Sequence, residues 1–339
     1  MQNVYKILRI ASLVRNERVK MLGIWMMHIL GMRYIGVFFD PVLACNLRCK
    51  MCYFSDEDKR KSYRGVFSFE DVELISKALF GRALKLQIGC GAEPTLHKDL
   101  NRIIALGKQY QIPYISLTTN GQLLTREQLS DAAEAGLDEI TISTHGLTQH
   151  TYEYLMTNGR FDLFLQTLHH IKEVKAQHPD FKLRINYTIN NDNLEELSRI
   201  WAIIGDEVEI DILQMRPIQK IGNSEYADFD TSKMYNRYDA VIEPVIEECR
   251  RRKITCLVPT KQNILAMKNN EIQDKRIETA TYCYVSPRGC WQDDFDYKTD
   301  TFKSYSKAHH LGMKLLVAIF AKKKKQPANT TYKLNYNIK

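Results

Sequence analysis

Between Tyr34 and Met215 the chain switches repeatedly between short apolar runs and amphipathic stretches, and this limits the folds open to it. Strand-like runs fall at 34–40, 83–90, 114–119, 139–144, 182–189 and 208–215. Helical patterns separate them. Ser68-Phe-Glu-Asp71 reads as an N-terminal cap before Val72–Leu79. His97–Tyr110 repeats apolar positions at Leu100, Ile103, Ile104 and Leu106, and Thr125–Ala135 opens on a threonine cap. Phe161–Gln177 and Asn193–Ile204 complete the set. Successive βα units predict a parallel sheet with helices outside it. Six units fall short of a closed eight-stranded barrel. The expected fold class is therefore α/β, a partial (β/α)6 TIM-like barrel with a smaller α+β C-terminal region. The expected segments are an amphipathic N-terminal helical stretch (1–33), the barrel (34–220), the C-terminal region (221–310) and a basic helix and tail (311–339).

Past Pro217 the alternation stops. Ser232–Lys253 predicts one long helix ending in Arg250-Arg-Arg-Lys253, Ile254–Val258 a short strand, and Gln262–Asn270 a short helix. Tyr282–Asp293 is turn-rich, and Leu311–Ala321 is apolar and leads into Lys322–Lys325.

Charge is distributed unevenly. The chain carries +8, but residues 1–36 hold six basic residues against one acid, and 301–339 hold nine lysines and no acid. The ends thus carry +5 and +9, which leaves −6 for everything between them. A basic nucleic-acid groove through the body is excluded on this count, and no nucleic-acid partner is expected. The ends allow weak association with an anionic membrane surface. Met21–Met32 is nearly all apolar, yet twelve residues are too few to span a bilayer. In residues 1–20 the basic residues are spread throughout, unlike a cleaved leader. Eight cysteines without secretion point to a reducing compartment and metal chemistry, so a cytoplasmic, membrane-peripheral location is expected.

Directly after the first strand-like run comes Cys45-Asn-Leu-Arg-Cys49-Lys-Met-Cys52. Loops at the C-terminal ends of barrel strands are where such folds build their sites. Three thiolates so close can converge on one metal centre. A closed structural zinc site wants four ligands, often as two C-x2-C pairs, and the chain has no second such pair. A three-cysteine iron–sulfur cluster keeps one iron open. Arg48 and Lys50, inside the loop, are expected to favour the thiolates.

The spacing C-x3-C-x2-C resembles the signature of the radical S-adenosylmethionine (SAM) superfamily. Gly91-Ala92-Glu93-Pro94 resembles the family's GGEP stretch and likewise follows a strand-like run. The resemblance implies a [4Fe-4S] cluster on Cys45, Cys49 and Cys52. It also implies a SAM site that includes Gly91, Ala92 and Glu93, with Glu93 toward the SAM ammonium. Asn120, Ser143 (or Thr144) and Asn186 stand where polar SAM contacts are expected. Met51 takes the place of a usually aromatic residue that touches adenine. Gln214 and Arg216 end the sixth strand within reach of substrate or the SAM carboxylate. Cys90, beside the motif, is expected to be a small buried thiol.

Cys283-x6-Cys290 loosely resembles the start of a SPASM or Twitch region, which implies an auxiliary iron–sulfur cluster on Cys256, Cys283 and Cys290. The alternative is free thiols, with Cys249 on a helix core. The implied activity is reductive SAM cleavage followed by hydrogen abstraction from a peptide or protein. The alternatives are a membrane-proximal or lipid-linked metabolite as substrate, or a non-catalytic iron–sulfur protein on a degenerate barrel. A reductant such as flavodoxin or ferredoxin is the implied partner.

Overall fold

The computed structural model describes residues 14, 16–218, 224–226, 230–268, 276–321 and 337–338. The strands are β1 (Ile35–Phe39), β2 (Ala83–Ile88), β3 (Ile115–Thr119), β4 (Glu139–Thr144), β5 (Lys182–Ile189), β6 (Ile212–Pro217), β7 (Thr255–Val258), β8 (Tyr282–Ser286), β9 (Gly289–Cys290) and β10 (Asn337–Ile338). Among the described residues they form one sheet in the order β10-β7-β6-β5-β4-β3-β2-β1-β8-β9. From β7 through β8 every neighbouring pair is parallel. β9 and β10 pair antiparallel at the two edges.

The partial parallel barrel is present and extends beyond six strands. Segments expected in a separate C-terminal region supply β7 and β8, one at each flank. β7 and β8 are not neighbours in the sheet, so the curl stays open between them.

The longer helices are α1 (Glu17–Ile29), α2 (Phe69–Leu79), α3 (Leu100–Gln109), α4 (Arg126–Glu134), α5 (Phe161–Gln177), α6 (Glu243–Arg252) and α7 (Leu311–Phe320). The Ser68 and Thr125 caps form full capping boxes with Asp71 and Gln128. The expected helix over Asn193–Ile204 is wound differently, as a 3₁₀ turn at Leu194–Arg199 and a π turn at Trp201–Gly205. The expected long helix from Ser232 is interrupted by a π turn at Tyr238–Ile242, just before Pro244. A proline ring meets the carbonyl four residues back, and a widened turn relieves that clash. Of the helix expected over 4–20, residues 1–13 and 15 lie outside the described set, and α1 begins only at Glu17.

Strand faces divide by polarity. Val37, Phe39, Leu86, Ile88, Leu117, Ile140, Ile142, Leu183, Ile185, Leu213 and Met215 are buried in the main apolar core. Their alternate neighbours are largely polar and face the other way, into the lumen. Parallel pairing gathers the C-terminal ends of β1 to β6 at one end of the barrel.

Candidate cofactor site

Cys45, Cys49 and Cys52 sit in the loop after β1, each partly accessible. Backbone bonds from Arg48 N to Thr157 O (2.9 Å) and from Lys50 N to Leu155 O (3.0 Å) pin the loop to the segment after β4. The Arg48 guanidinium folds back onto the Cys45 carbonyl at 2.8 Å. Asn120 Nδ2, at the end of β3, lies 2.8 Å from Asn46 Oδ1 and 3.8 Å from Cys45 Sγ.

The three sulfurs lie within electrostatic reach of one another. Burial pushes the Cys45 thiol up to about 12, and nearby Glu93 and Cys52 add to the rise. Burial, then Cys52 and Cys45, hold Cys49 well above the usual thiol range. Burial also raises Cys52, opposed by backbone N–H groups and by Arg216. Thiolate support expected from Arg48 and Lys50 is largely absent. Arg48 is the weakest of the influences on Cys45, and Lys50 instead pairs with Glu225 at 2.9 Å. The cation that faces Cys52 is Arg216, which comes from β6.

Among the described residues no three His, Cys, Asp or Glu side chains gather closely enough to hold a single metal ion. A cluster sets a different requirement, since each thiolate takes its own iron. Three mutually interacting sulfurs on one loop, with the nearby Glu93 carboxylate held by protein donors, fit a three-ligand iron–sulfur cluster.

The Gly91–Glu93 loop follows β2 and is held from two sides. Asp40, fully buried just after β1, accepts from Cys90 N (2.7 Å), from Gly91 N (3.0 Å) and from the Tyr284 hydroxyl (2.8 Å). Burial raises the Asp40 carboxyl, and these donors work against that rise. Tyr53, one residue past the triplet, donates its hydroxyl to Gly91 O. A Cβ on Gly91 would lie 2.6 Å from that hydroxyl and 3.3 Å from Asp40 Oδ2, so a larger residue here would push both side chains back.

Glu93 is buried and its carboxylate is fully engaged by protein donors. Oε1 accepts from Thr95 N (3.2 Å), Thr95 Oγ1 (2.6 Å) and Thr119 Oγ1 (2.6 Å), and Oε2 accepts from Asn120 N (2.8 Å). Glu93 N in turn donates to Ala44 O at 2.8 Å. Glu93 thus ties the cysteine loop to the loops after β2 and β3. Burial raises its carboxyl, and Thr119, Thr95 and Asn120 oppose the shift. Ala92 N adds a further bond to Asp40.

The remaining candidates line up across the lumen. Parallel register sets Ser143 beside Asn186, and Asn186 beside Gln214. Arg216 Nε reaches Thr188 Oγ1 at 3.3 Å, and Arg184 donates to Gln214 Oε1. These bonds place Arg184, Asn186 and Thr188 on the lumen face. Thr144 is turned away, its hydroxyl bonded to Gly146 O at 2.9 Å. Asn186 Oδ1, Ser116 Oγ and His145 Nδ1 are buried with no partner among the described residues. Orphaned polar atoms in a polar lumen leave room for a polar ligand there. Burial and Arg216 lower the His145 imidazole to about 3. Met51 is buried against Leu155 and Ile218, with its sulfur 3.0 Å from Asn190 Nδ2.

Two expectations about the other cysteines change. Cys90 is exposed rather than buried, with its sulfur beside Gln87 of β2. The set Cys256, Cys283 and Cys290 is not assembled. Cys256, on β7, partners Cys249 of α6, whereas Cys283 and Cys290 interact on the β8–β9 hairpin. β7 and β8 stand at opposite flanks of the sheet order. A cavity of about 690 Å³ opens at the far end of the barrel, among Lys172, Lys182, Glu207, Asp211 and Arg252. Its charges are largely paired with one another, as Lys172 is with Glu207 at 3.7 Å.

Sequence reasoning missed Asp40, Tyr53, Tyr284 and Ser116. Only Asp40 left a local signal, a lone acid immediately after an apolar strand.

Residues 41–201 match the profile of the Radical SAM superfamily. The Fe-coproporphyrin III synthase of Methanosarcina barkeri strain Fusaro is 26% identical over 171 residues, 50% of this chain and 41% of that protein. A "Probable GTP 3′,8-cyclase" of Metallosphaera sedula is 31% identical over 180 residues, 53% of this chain and 54% of that protein. The chain thus spans about half the length of these relatives. The structure of Streptococcus suis SuiB bound to S-adenosylmethionine superposes with a TM-score of 0.58 at 17% identity, over 75% of this chain and 58% of that one. The FeFe-hydrogenase maturase HydG of Carboxydothermus hydrogenoformans gives 0.50 at 14% identity, over 92% and 81%. Both show the same fold. The cysteine triplet, the parallel half-barrel and the profile agree: residues 41–201 of this chain form a domain of the Radical SAM superfamily.

Proposed function

We propose that Cys45, Cys49 and Cys52 hold the cluster, and that the lumen beside them binds SAM and then a substrate from which a hydrogen atom is taken. Bound there, the reduced cluster supplies the electron for reductive cleavage of SAM. The chain's own residues do the rest. Asp40, Tyr53 and Glu93 fix the Gly91–Glu93 loop against the cysteine loop. Asn186 and Ser143 offer polar groups to the cofactor from adjacent strands, and Arg216 offers a cation beside Cys52. Met51 and Asn120 wall the site where the cysteine loop meets the loops after β3 and β5. The observation that carries this reading is the three interacting sulfurs on one loop, tied by Asn120 and Glu93 to the loops after β2 and β3.

A peptide or protein substrate is supported by the flank left open between β7 and β8, which gives an extended chain a way in. The SPASM-like resemblance is not used for it, since Cys283 and Cys290 belong to the barrel's own sheet. An external one-electron donor of the flavodoxin or ferredoxin class would supply the cluster. Anaerobic reconstitution with iron and sulfide, reduction, and assay for 5′-deoxyadenosine with SAM present is the test. A fully loaded cluster that binds SAM and yields no 5′-deoxyadenosine overturns the reading.

A further inference from the structure

Far from the cofactor site, α1 and α7 pack side by side on the barrel wall. Gly312, at the start of α7, lies against the end of α1: a Cβ there would sit 3.3 Å from Ile29 Cδ1 and 3.4 Å from His28 Cδ2. The inward faces are Met21 and Ile24 on α1, and Leu315 and Ile319 on α7, all buried. Arg276 Nη1 reaches the carbonyls of Ala318 and Ala321, both at 3.0 Å, and fastens the far end of α7.

The outward faces are apolar as well. On α1, Val19, Leu22, Met26 and Ile29 recur at helical spacing and are exposed, and Leu30 and Met32 follow them. On α7, Met313, Val317 and Phe320 are 61%, 60% and 70% exposed. A helix apolar on every side is normally buried on every side. Here two adjacent helices leave such faces in the open, and exposed apolar surface of this extent marks an interaction site.

Charge selects the occupant. The terminal regions that contain these helices carry +5 and +9, and Ala321 is followed in sequence by four consecutive lysines. A second copy of this chain would bring the same cations against them. The exposed side chains are long aliphatics, methionines and one phenylalanine, which suit acyl chains at an interface. Among the described residues no helix is long and apolar enough to cross a membrane.

We propose that the α1–α7 face is a peripheral docking surface for an anionic phospholipid bilayer. The helices lie in the plane of the headgroups with their outward faces inserted, and the net positive charge of the terminal sequence favours anionic lipid. This goes beyond the catalytic reading and does not depend on it.

The test is sedimentation of the full chain with phosphatidylglycerol/phosphatidylcholine vesicles and with phosphatidylcholine vesicles alone. Each basic residue near the surface multiplies affinity about fivefold, so the anionic vesicles should pellet at least tenfold more protein at low salt. Near 1 M salt, where the Debye length falls to about 3 Å, most of that excess should be lost. The double variant Met313→Glu/Val317→Glu should lose most of the binding and keep the wild-type circular dichroism spectrum and melting temperature. Leu22→Glu/Met26→Glu gives the same check from the other helix, independent of how α7 tolerates charge. Equal recovery in the supernatant with both vesicle types overturns the proposal. So does concentration-dependent dimerisation that these substitutions abolish without any vesicle binding, which would assign the face to a second copy.

Discussion

The Tyr284 hydroxyl donates to Asp40 at 2.8 Å and so joins β8 to the carboxylate that holds the Gly91 loop. Removing the acceptor and removing one donor have different consequences. Asp40→Ala leaves the N–H groups of Cys90 and Gly91 and the Tyr284 hydroxyl without their partner in a buried site. A buried unsatisfied group costs ~1–3 kcal/mol, so Asp40→Ala should lower stability by at least ~3 kcal/mol and weaken SAM binding. Tyr284→Phe removes a single bond and should cost ~1 kcal/mol. Denaturant melts and calorimetric SAM titration of the two variants would separate them.

Iron content tests the cysteine assignment. Reconstituted protein should hold about four irons per chain, as one cubane cluster requires. Cys45→Ala, Cys49→Ala and Cys52→Ala should each lose most cluster absorbance. Cys256→Ala, Cys283→Ala and Cys290→Ala should keep the iron count and lose only packing, ~1 kcal/mol apiece. A wild-type value near eight irons, lost on mutating Cys283, would restore an auxiliary site.

At Glu93, charge and position can be told apart. Its four protein donors all point at oxygens, so Glu93→Gln turns an amide N–H₂ toward at least one of them. The loop that joins Ala44 to Asn120 should loosen, at a cost of ~1–3 kcal/mol. SAM affinity should fall while the iron count stays. Unchanged SAM affinity with lowered stability would make Glu93 a positioning residue alone.

His145 predicts an acid-sensitive fold. Its folded value, about 3, lies below its ordinary 6.5, chiefly through burial. Between those values the unfolded chain binds a proton that the folded chain refuses. Stability from this group is therefore complete above about pH 6.5 and is lost as pH falls toward 3, with a slope of at most ~1.4 kcal/mol per unit. His145→Gln should flatten that limb in urea melts run from pH 7 to pH 4. Parallel profiles for variant and wild type would remove His145 as the cause.

Strand positions were readable where alternation was local. β4 and β5 start and end where the apolar pattern does, at Glu139–Thr144 and Lys182–Ile189. The sixth strand was displaced, because Val208 and Ile210 are buried without being strand, and β6 begins only at Ile212. Both residues fill the floor of the barrel, and hydropathy does not distinguish that from a place in the ladder. The cysteine loop was legible because its three donors lie within eight residues. The groups that brace it were not, because Asp40, Thr119 and Tyr284 come together only through the sheet. Burial of Leu183, Ile185 and Tyr187 in the outer core settled which face of β5 turns inward, a choice that alternation alone left open.

The bond between Asp40 and Tyr284 spans 244 residues of chain. On a ribosome, the first strand and the cysteine loop emerge long before β8 exists to pair with them. β1 keeps one unpaired edge, and Asp40 lacks one of its donors, until nearly the whole chain has been made. Long-range parallel pairing of this kind forms slowly, and the waiting edge is prone to association. Truncation anywhere before Tyr282 would leave that edge bare for good, so shortened products of this chain should be handled as aggregation-prone intermediates, even though their cysteine loop is complete.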